Sequence, residues 1–247
     1  MVDLTHPSFP LASSYDADWL LSLDMGPNPL WLLEDLLSDV VVRPGDRVLD
    51  LGSGRGATSV FLAKERGVEV WALDLWVDVA TAEETFAEAG VGDSVTAVQA
   101  DARQPLPFQN GAFDAIISVD AWEYVGTDDH FLPSLLRVLR SGGAIGVATP
   151  SMTPDVRDIG AIPDHIGQVV GWEAMAWHSP EWWKLQWELT GLLDNISARS
   201  QPSGWSDWLR WTLASDQTSP AESPVAQMLK ADEGRLLSFA LVSGTKR

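Results

Sequence analysis

Apolar and polar positions alternate in two different patterns between residues 47 and 150. Short, almost continuous apolar runs are typical of strands buried in a sheet, and apolar residues that recur every three or four positions are typical of helices packed on one face. The apolar runs predict five strands, at residues 47–51, 68–74, 94–99, 113–119 and 144–148. Because strands and helices alternate, we expect an α/β fold, Rossmann-like, with a mostly parallel sheet and helices on both faces.

The helices between these strands are predicted from the same periodicity, over residues 56–66, 77–89 and about 131–139. Glycine commonly ends a helix because it adopts the left-handed conformation without a steric penalty. We therefore expect the helices to end at Gly67, at Gly90 and at Gly142-Gly143.

The outer parts of the chain are predicted to surround this core. We expect residues 1–46 to form a helical segment that covers the site, and residues 47–247 to form the main domain. Residues 151–178 contain prolines and acids without a clear period, which is typical of a long loop or lid.

Regular structure is predicted to resume near residue 179. Ser179 and Pro180 have the residue types that favour the cap and the first position of a helix. Two last strands are predicted at residues 192–199 and 236–242, and a helical insert at residues 200–233 separates them.

The segment VLDLGSGRG, residues 48–56, joins the first strand to the first helix. Gly52, Gly54 and Gly56 let the backbone turn sharply and approach a ligand closely. The following helix offers unpaired N–H groups at its first turn. This combination predicts a site for a cofactor of nucleotide type.

The glycine loop alone does not decide which cofactor binds. Gly52, Gly54 and Ala57 satisfy the dinucleotide pattern G-x-G-x-x-A, so an NAD(P)-dependent oxidoreductase remains an alternative. Asp50 would attract the cationic amino-acid portion of S-adenosylmethionine, and Asp101 follows the third strand, where its carboxylate can accept from an adenine amino group. Together with the two closing strands, these acids favour S-adenosylmethionine.

With these features the chain resembles the class I S-adenosylmethionine-dependent methyltransferases over residues 47–150. VLDLGSGRG is similar to their first motif, and SVDAWEYV, residues 118–125, to the segment that faces cofactor and substrate. The resemblance implies that Asp74 holds the ribose hydroxyls and that Asp101 contacts adenine. It also implies a seven-stranded sheet with an antiparallel last strand, and in-line methyl transfer that leaves S-adenosylhomocysteine.

A narrower resemblance, to small-molecule methyltransferases similar to cyclopropane fatty acid synthases, rests on VDAWEYVG, residues 119–126. Glu123 matches the glutamate of those synthases, whereas Asp120 and Tyr124 replace a small residue and a histidine. A cyclopropane-synthase-like carbon methyltransferase is therefore a second alternative, and a catalytically silent cofactor-binding module is a third.

Three groups of candidate site residues follow from the motifs and the resemblance. The predicted cofactor-binding residues are Asp50, Gly52, Gly54, Gly56, Asp74, Leu75, Asp101, Ala102 and Asp120. The candidate bases are Glu123, Asp120, His165 and His178, because a carboxylate or a histidine can take the proton of the nucleophile. The predicted substrate-binding residues are Met25, Trp122, Tyr124 and Trp172. Any of these acids can instead cap a helix.

Tryptophan is frequent in the second half of the chain. Eight of the 13 tryptophans fall between Trp172 and Trp211. Aromatic side chains can enclose a substrate or pack in a core, and we expect about two or three of the eight to line a binding pocket.

The composition of the chain indicates which classes of binding partner to expect. The formal net charge of −19 would repel nucleic-acid backbones. No run approaches the ~18 apolar residues of a membrane span, and the acidic start is unlike a signal peptide, so we expect a cytoplasmic protein. The chain has no cysteine and no histidine spacing typical of a metal site, so no catalytic metal is predicted. A small-molecule methyl acceptor is the expected partner, and the oligomeric state stays open.

Overall fold

The computed structural model describes residues 3–215 and 223–247. One sheet is formed in these residues by seven strands, β1 (Arg47–Leu51), β2 (Glu69–Asp74), β3 (Val95–Gln99), β4 (Phe113–Val119), β5 (Leu139–Met152), β6 (Leu193–Ser200) and β7 (Leu237–Lys246). Each predicted strand corresponds to one of them.

The strands lie in the order β3-β2-β1-β4-β5-β7-β6, and β7 runs antiparallel to both of its neighbours. β1 pairs in parallel with β2 and β4, so that Asp50 lies opposite Ala72 on one side and Ile117 on the other. The carboxyl ends of these strands therefore meet at one edge of the sheet, where α/β proteins bind their ligands. The predicted sheet, mostly parallel with an antiparallel last strand, is confirmed.

Helices pack around the sheet. Those of the described residues are α1 (Ala17–Ser22), α2 (Pro29–Leu36), α3 (Ala57–Arg66), α4 (Val79–Glu88), α5 (Phe131–Leu136), α6 (Val156–Ile159), α7 (Asp164–Val170), α8 (Pro180–Thr190), α9 (Gly204–Ser215) and α10 (Pro224–Asp232).

Both faces of the sheet are buried because its central strands are apolar on both sides. In β4, Ala115 and Ile117 pack into one hydrophobic cluster, and Ile116 packs into the other. Phe61 of α3 belongs to the first cluster and Trp187 of α8 to the second, and both side chains are fully buried. Complete burial of a large apolar side chain contributes roughly 2 kcal/mol or more to folding.

The structure corrects two predicted boundaries near residue 139. The helix predicted to continue to Leu139 and to end at Gly142-Gly143 ends at Leu136, and Leu139 already pairs with Phe113 at the start of β5. β5 is also longer than predicted, because the antiparallel β7 pairs with it as far as Met152. A partner strand so distant in the sequence leaves no local pattern.

The segment predicted as a loop or lid at residues 151–178 is largely helical. It contains α6, α7 and a 3-10 helix, Gly171–Ala176. The predicted insert at 200–233 contains α9 and α10, while residues 216–222 of that insert lie outside the described residues. Among the residues described, no helix has the length and apolar character to cross a membrane.

Candidate active site

The glycine loop after β1 adopts a conformation that other residues tolerate poorly. Gly52, Gly54 and Gly56 have φ angles of 76°, 53° and 97°, in the left-handed region. A Cβ on Gly52 would collide with the side chain of Ala121, which follows β4. The loop therefore needs glycine both for its turn and for its contact with the neighbouring strand end.

Asp74, the last residue of β2, orders this loop. Its Oδ2 accepts a hydrogen bond of 2.9 Å from the amide of Gly54. Its Oδ1 accepts bonds of 2.7 and 3.0 Å from the amides of Trp76 and Val77. A carboxylate has about four acceptor positions, so these three bonds orient Asp74 and leave one position for a ligand.

A cavity of about 420 Å³ opens at the carboxyl edge of the sheet, beside the glycine loop. It has two walls. The wall formed by the predicted cofactor-binding segments, called the cofactor wall, comprises residues 51–55, 57–58, 73–76 and 100–103. The other wall, called the cap, comprises residues 23, 25–27, 29, 124–125 and 172. Val119, Asp120 and Ala121 lie between them.

Ten of the predicted site residues line this one cavity. They are Met25, Gly52, Gly54, Asp74, Leu75, Asp101, Ala102, Asp120, Tyr124 and Trp172. Residues predicted from separate motifs are thus brought together by the ends of β1 to β4 and by the cap.

Asp101 lies after β3 and pairs with Arg103. The Nε and NH2 groups of Arg103 donate to its two carboxylate oxygens, each at 2.9 Å. These side-chain bonds, with a further bond from the Arg103 amide, hold the pKa of Asp101 below its ordinary value. The carboxylate is therefore ionised and fixed in direction at the cofactor wall.

Asp50 is predicted from the sequence to bind the cofactor, but in the structure it lies behind the loop and does not line the cavity. Its Oδ2 accepts from the hydroxyls of Thr58 and Ser59 in the first turn of α3, both at 2.6 Å. Its Oδ1 is buried and has no partner among the described residues. Burial raises the pKa of Asp50 to about 6 against the opposing effect of the two hydroxyl bonds. Asp50 therefore anchors the start of α3.

Gly56 and Trp122 also lie outside the cavity lining. A Cβ on Gly56 would collide with Phe86 of α4, so this glycine permits helix packing. Trp122 is completely buried and makes edge-to-face contacts with Phe131 and Trp187. Trp122 was predicted to bind substrate, but the structure places it in the hydrophobic core beneath the site.

The two candidate histidines are removed from the cavity. His165 of α7 lies 3.2 Å from Oδ1 of Asp232. His178 is buried, lies 2.8 Å from Oδ2 of Asp155, and stacks on Trp182 with ring centroids 3.6 Å apart. Burial lowers the pKa of His178, and neither histidine lines the cavity. Both are therefore placed to support the lid segment and not to meet a substrate.

Asp120 and Glu123 form an acidic pair just after β4. Asp120 lines the cavity, with a φ of 53°. Glu123 is 8% exposed, and its Oε2 accepts a bond of 2.8 Å from the hydroxyl of Thr149. Burial, followed by repulsion from Glu123 and Asp24, raises the pKa of Asp120 well above its ordinary value. Burial also raises the pKa of Glu123 to about 7.

Several site residues were missed in the sequence. Trp76 lines the mouth of the cavity at 64% exposure and makes an edge-to-face contact with Tyr124 at 5.2 Å. Its position two residues after Asp74 was an available signal. Gly26 packs against the Asp120 carboxylate, and Thr149 holds Glu123; no local pattern marks either residue.

The tryptophan-rich region contributes less to the cavity than expected. Of the eight tryptophans between Trp172 and Trp211, Trp172 alone lines it. Trp183, Trp187 and Trp211 are fully buried. The expectation of two or three pocket tryptophans was wrong, because most of them fill the core between the helices and the sheet.

Comparisons with known proteins agree with this site. Residues 48–143 match a family described as a methyltransferase domain. The 27-O-demethylrifamycin SV methyltransferase of Amycolatopsis mediterranei (strain S699) is 24% identical over 219 residues, which cover 85% of this chain and 77% of that protein. The chain covers a smaller share of several other curated methyltransferases, between 24% and 52% of their length.

Solved structures show the same fold. Geranyl diphosphate methyltransferase in complex with SAM has a TM-score of 0.70 at 20% identity, covering 87% of this chain and 84% of that one. The [4+2]-cyclase SpnF has a TM-score of 0.65 at 20% identity, covering 87% and 80%. The oxidoreductase alternative finds no support in these comparisons. Residues 48–143 are therefore a methyltransferase domain, and the fold around them is that of a methyltransferase solved with SAM.

Proposed function

We propose that this enzyme methylates a small organic molecule bound between the cofactor wall and the cap. The observation that carries the proposal is the single cavity in which the glycine loop, Asp74 and Asp101 face residues of the cap. Its volume of about 420 Å³ lies in the range of small-molecule sites. The cap contributes Met25, Tyr124 and Trp172 to the lining of the same cavity.

The residues of the cofactor wall fit S-adenosylmethionine. Asp74 retains one acceptor position directed by its amide bonds, which suits a ribose hydroxyl. Asp101 presents an ionised carboxylate for the adenine amino group. Gly54 faces the sulfur of Met25, which a Cβ would approach to 3.1 Å, so a side chain there would narrow the cavity.

Methyl transfer depends more on the positioning of donor and acceptor than on acid–base assistance. S-adenosylmethionine supplies an electrophilic methyl group on a sulfonium. The chain has to hold the nucleophile in line with that methyl at near contact, and orientation of this kind can lower a barrier by several kcal/mol, on the order of 7 or more. The cap residues exclude water and fix the acceptor.

A base is needed only when the nucleophile carries a proton. Asp120 is the candidate that lines the cavity, and Glu123 is its buried neighbour. A raised pKa makes a carboxylate a better proton acceptor near neutral pH. We therefore rank these two carboxylates above His165 and His178, which lie elsewhere in the fold.

The proposal is tested first by ligand binding. We expect calorimetry to show saturable binding of S-adenosylhomocysteine and none of NAD. Asp74→Asn should weaken that binding about tenfold, since a ribose contact and the loop both depend on its charge. Asp93→Asn, a change at an exposed residue after α4, is the matched control. Absence of S-adenosylhomocysteine binding would overturn the proposal.

The second test is transfer itself. A screen of small acceptors with S-adenosylmethionine labelled in its methyl group should yield a labelled product. Because the fold also occurs in a cyclase, binding of the cofactor product without transfer to any acceptor would point instead to a different reaction on the same fold.

A further inference from the structure

Acidic side chains are gathered at one end of the cavity. Asp120 lines the cavity, and the acids that act on it or on its neighbour Glu123 are Asp24 and Glu173. These four carboxylates come from the N-terminal segment, from the residues after β4, and from the 3-10 helix Gly171–Ala176. Among these four acids Asp120 lines the cavity, and the other three act on it or on Glu123 from separate parts of the chain.

The Asp120 carboxylate is also without a fixed partner. No side chain or amide of the described residues donates a hydrogen bond to it, although it lies against Gly26. Asp74 and Asp101, by contrast, are held by amides or by Arg103. A mostly buried carboxylate that lacks donors is stabilised when a cation binds beside it.

The cofactor brings fewer positive charges than there are acids at this end of the cavity. S-adenosylmethionine has an ammonium, a carboxylate and a sulfonium, which leaves one net positive charge for four carboxyl groups. The cationic side chains that line the cavity are engaged on the cofactor wall: Arg103 pairs with Asp101, and Arg55 donates to the carbonyl of Ser22 at 2.9 Å. An anionic acceptor would meet carboxylates at the cap, whereas a cationic one would be attracted.

Aromatic side chains lie at the mouth of the cavity. Trp76, Tyr124 and Trp172 line the mouth at 64%, 51% and 77% exposure. The faces of such rings attract cations through their quadrupoles. Acids and aromatic rings together are a recognition chemistry for ammonium groups.

We propose that the methyl acceptor is a cationic amine whose nitrogen binds between Asp120 and the aromatic mouth. This inference rests on the proposed function and adds the chemical class of the acceptor. Before transfer, a protonated amine has to give its proton to the carboxylate of Asp120 or Glu123. The nitrogen lone pair then forms the N–C bond as the S–C bond breaks. The electron pair of that bond stays on sulfur, and the proton is released to solvent.

Three matched probes test the proposal by calorimetry on the protein saturated with S-adenosylhomocysteine. They are N-methylbenzylamine, benzyl methyl ether, which replaces the nitrogen by oxygen, and phenylacetate, which is anionic. We expect the amine to bind at least about tenfold more tightly than the ether, the size expected for one charged contact. Phenylacetate should bind more weakly than either. Benzyltrimethylammonium should compete with the amine, since it has the charge but no proton or lone pair.

Asp120→Asn links the preference to one residue. Asparagine adopts a positive φ more readily than most residues, so the backbone at φ 53° is preserved. The variant should lose most of the preference for the amine over the ether, while its affinity for S-adenosylhomocysteine changes less than about threefold. Asp129→Asn, at an exposed acid nearby, should keep the wild-type preference.

The outcomes separate the two proposals. If wild-type protein does not bind S-adenosylhomocysteine, the proposed function itself fails. If it does, the inference is overturned when the amine, the ether and the carboxylate bind equally or none of them binds. It is also overturned when Asp120→Asn weakens S-adenosylhomocysteine as much as the amine, because Asp120 would then hold the cofactor. Should Asp120→Asn not fold, Asp120→Gly, which also adopts a positive φ readily, is measured in its place, with the same expected loss of amine preference.

Discussion

The indole Nε1 of Trp211 donates a hydrogen bond of 2.8 Å to Oδ1 of Asp24. Trp211 lies in α9 and is fully buried, whereas Asp24 belongs to the N-terminal segment, at residues 23–29, that forms part of the cap. The same Asp24 oxygen also accepts from the amide of Gly26, at 3.4 Å. This bond therefore attaches one wall of the cavity to a helix almost two hundred residues away in the chain.

Trp211→Phe is expected to loosen the cap. This bond is partly buried, and the loss of a hydrogen bond to a carboxylate costs about 1.5–3 kcal/mol. We expect faster amide hydrogen exchange in residues 23–29 and weaker binding of an acceptor. Trp205→Phe is the matched control, because Trp205 donates a similar bond of 2.7 Å to the carbonyl of Leu229. Equal exchange in residues 23–29 for both variants would show that the Asp24 bond does not hold the cap.

Gly52→Ala is expected to reduce affinity for S-adenosylhomocysteine by about tenfold or more. The new Cβ would collide with Ala121 and would also require a φ of 76°, so the loop has to move. Gly90→Ala is the control: Gly90 has a φ of 70° but no atom within 4 Å of the added Cβ. That variant should lose about 1 kcal/mol of stability and bind the ligand normally. Calorimetry and urea unfolding on both proteins give the comparison.

Asp50→Asn is expected to change how stability depends on pH. The pKa of Asp50 is raised from 3.8 to about 6, so the folded state holds the proton more tightly than the unfolded state does. The stabilising contribution of this proton is complete below pH 4 and is lost as pH rises to 6. Above that pH, ionised Asp50 costs the folded state about 3 kcal/mol.

The asparagine variant has no such titration. Its unfolding free energy relative to wild type should therefore rise between pH 4 and pH 7, by up to about 3 kcal/mol. Urea unfolding at the two pH values measures this. If the difference in unfolding free energy between the variant and wild type does not change with pH, Asp50 is ionised throughout and a donor binds its Oδ1.

Thr149→Val tests whether Glu123 takes a proton in the reaction. The Thr149 hydroxyl favours the charged form of Glu123, so its loss should raise a pKa that is already about 7. The acid limb of kcat/KM should shift to higher pH by about one unit, because the base form appears later. Thr149→Ser keeps the hydroxyl and should keep the wild-type profile. An unchanged limb in the valine variant would remove Glu123 as the base.

The sequence predicts those parts of the site that depend on strand ends. Asp74 and Asp101 line the cavity because parallel strands bring their carboxyl ends to one edge, and strands of this kind are visible as apolar runs. Asp50 is the residue before the last of its strand, but the hydroxyls of Thr58 and Ser59 donate to its carboxylate behind the loop. Thr58 and Ser59 are visible in the sequence, but the direction of their hydroxyls depends on the first turn of α3.

The positions of the other residues depend on long-range packing and could not be predicted from the sequence. The partner of His178 is Asp155, on the other side of the lid segment, and this pairing places the histidine away from the cavity. Trp122 lies next to Glu123 in the sequence, yet it faces the core while Asp120 faces the cavity. A short 3-10 helix, Trp122–Tyr124, decides which side each residue takes, and no periodicity is visible over so few positions.

The two walls of the cavity are built by different parts of the fold. The cofactor wall depends on the register of paired strands, where a shift of one residue would turn every side chain over. The residues of the cap come from short segments, at 23–29, 124–125 and 172, that pair with no strand. Acceptor preference can therefore diverge through small changes in these segments while the methyl donor stays the same. Libraries that vary the cap, with the sheet left intact, are the direct route to new acceptors for this enzyme.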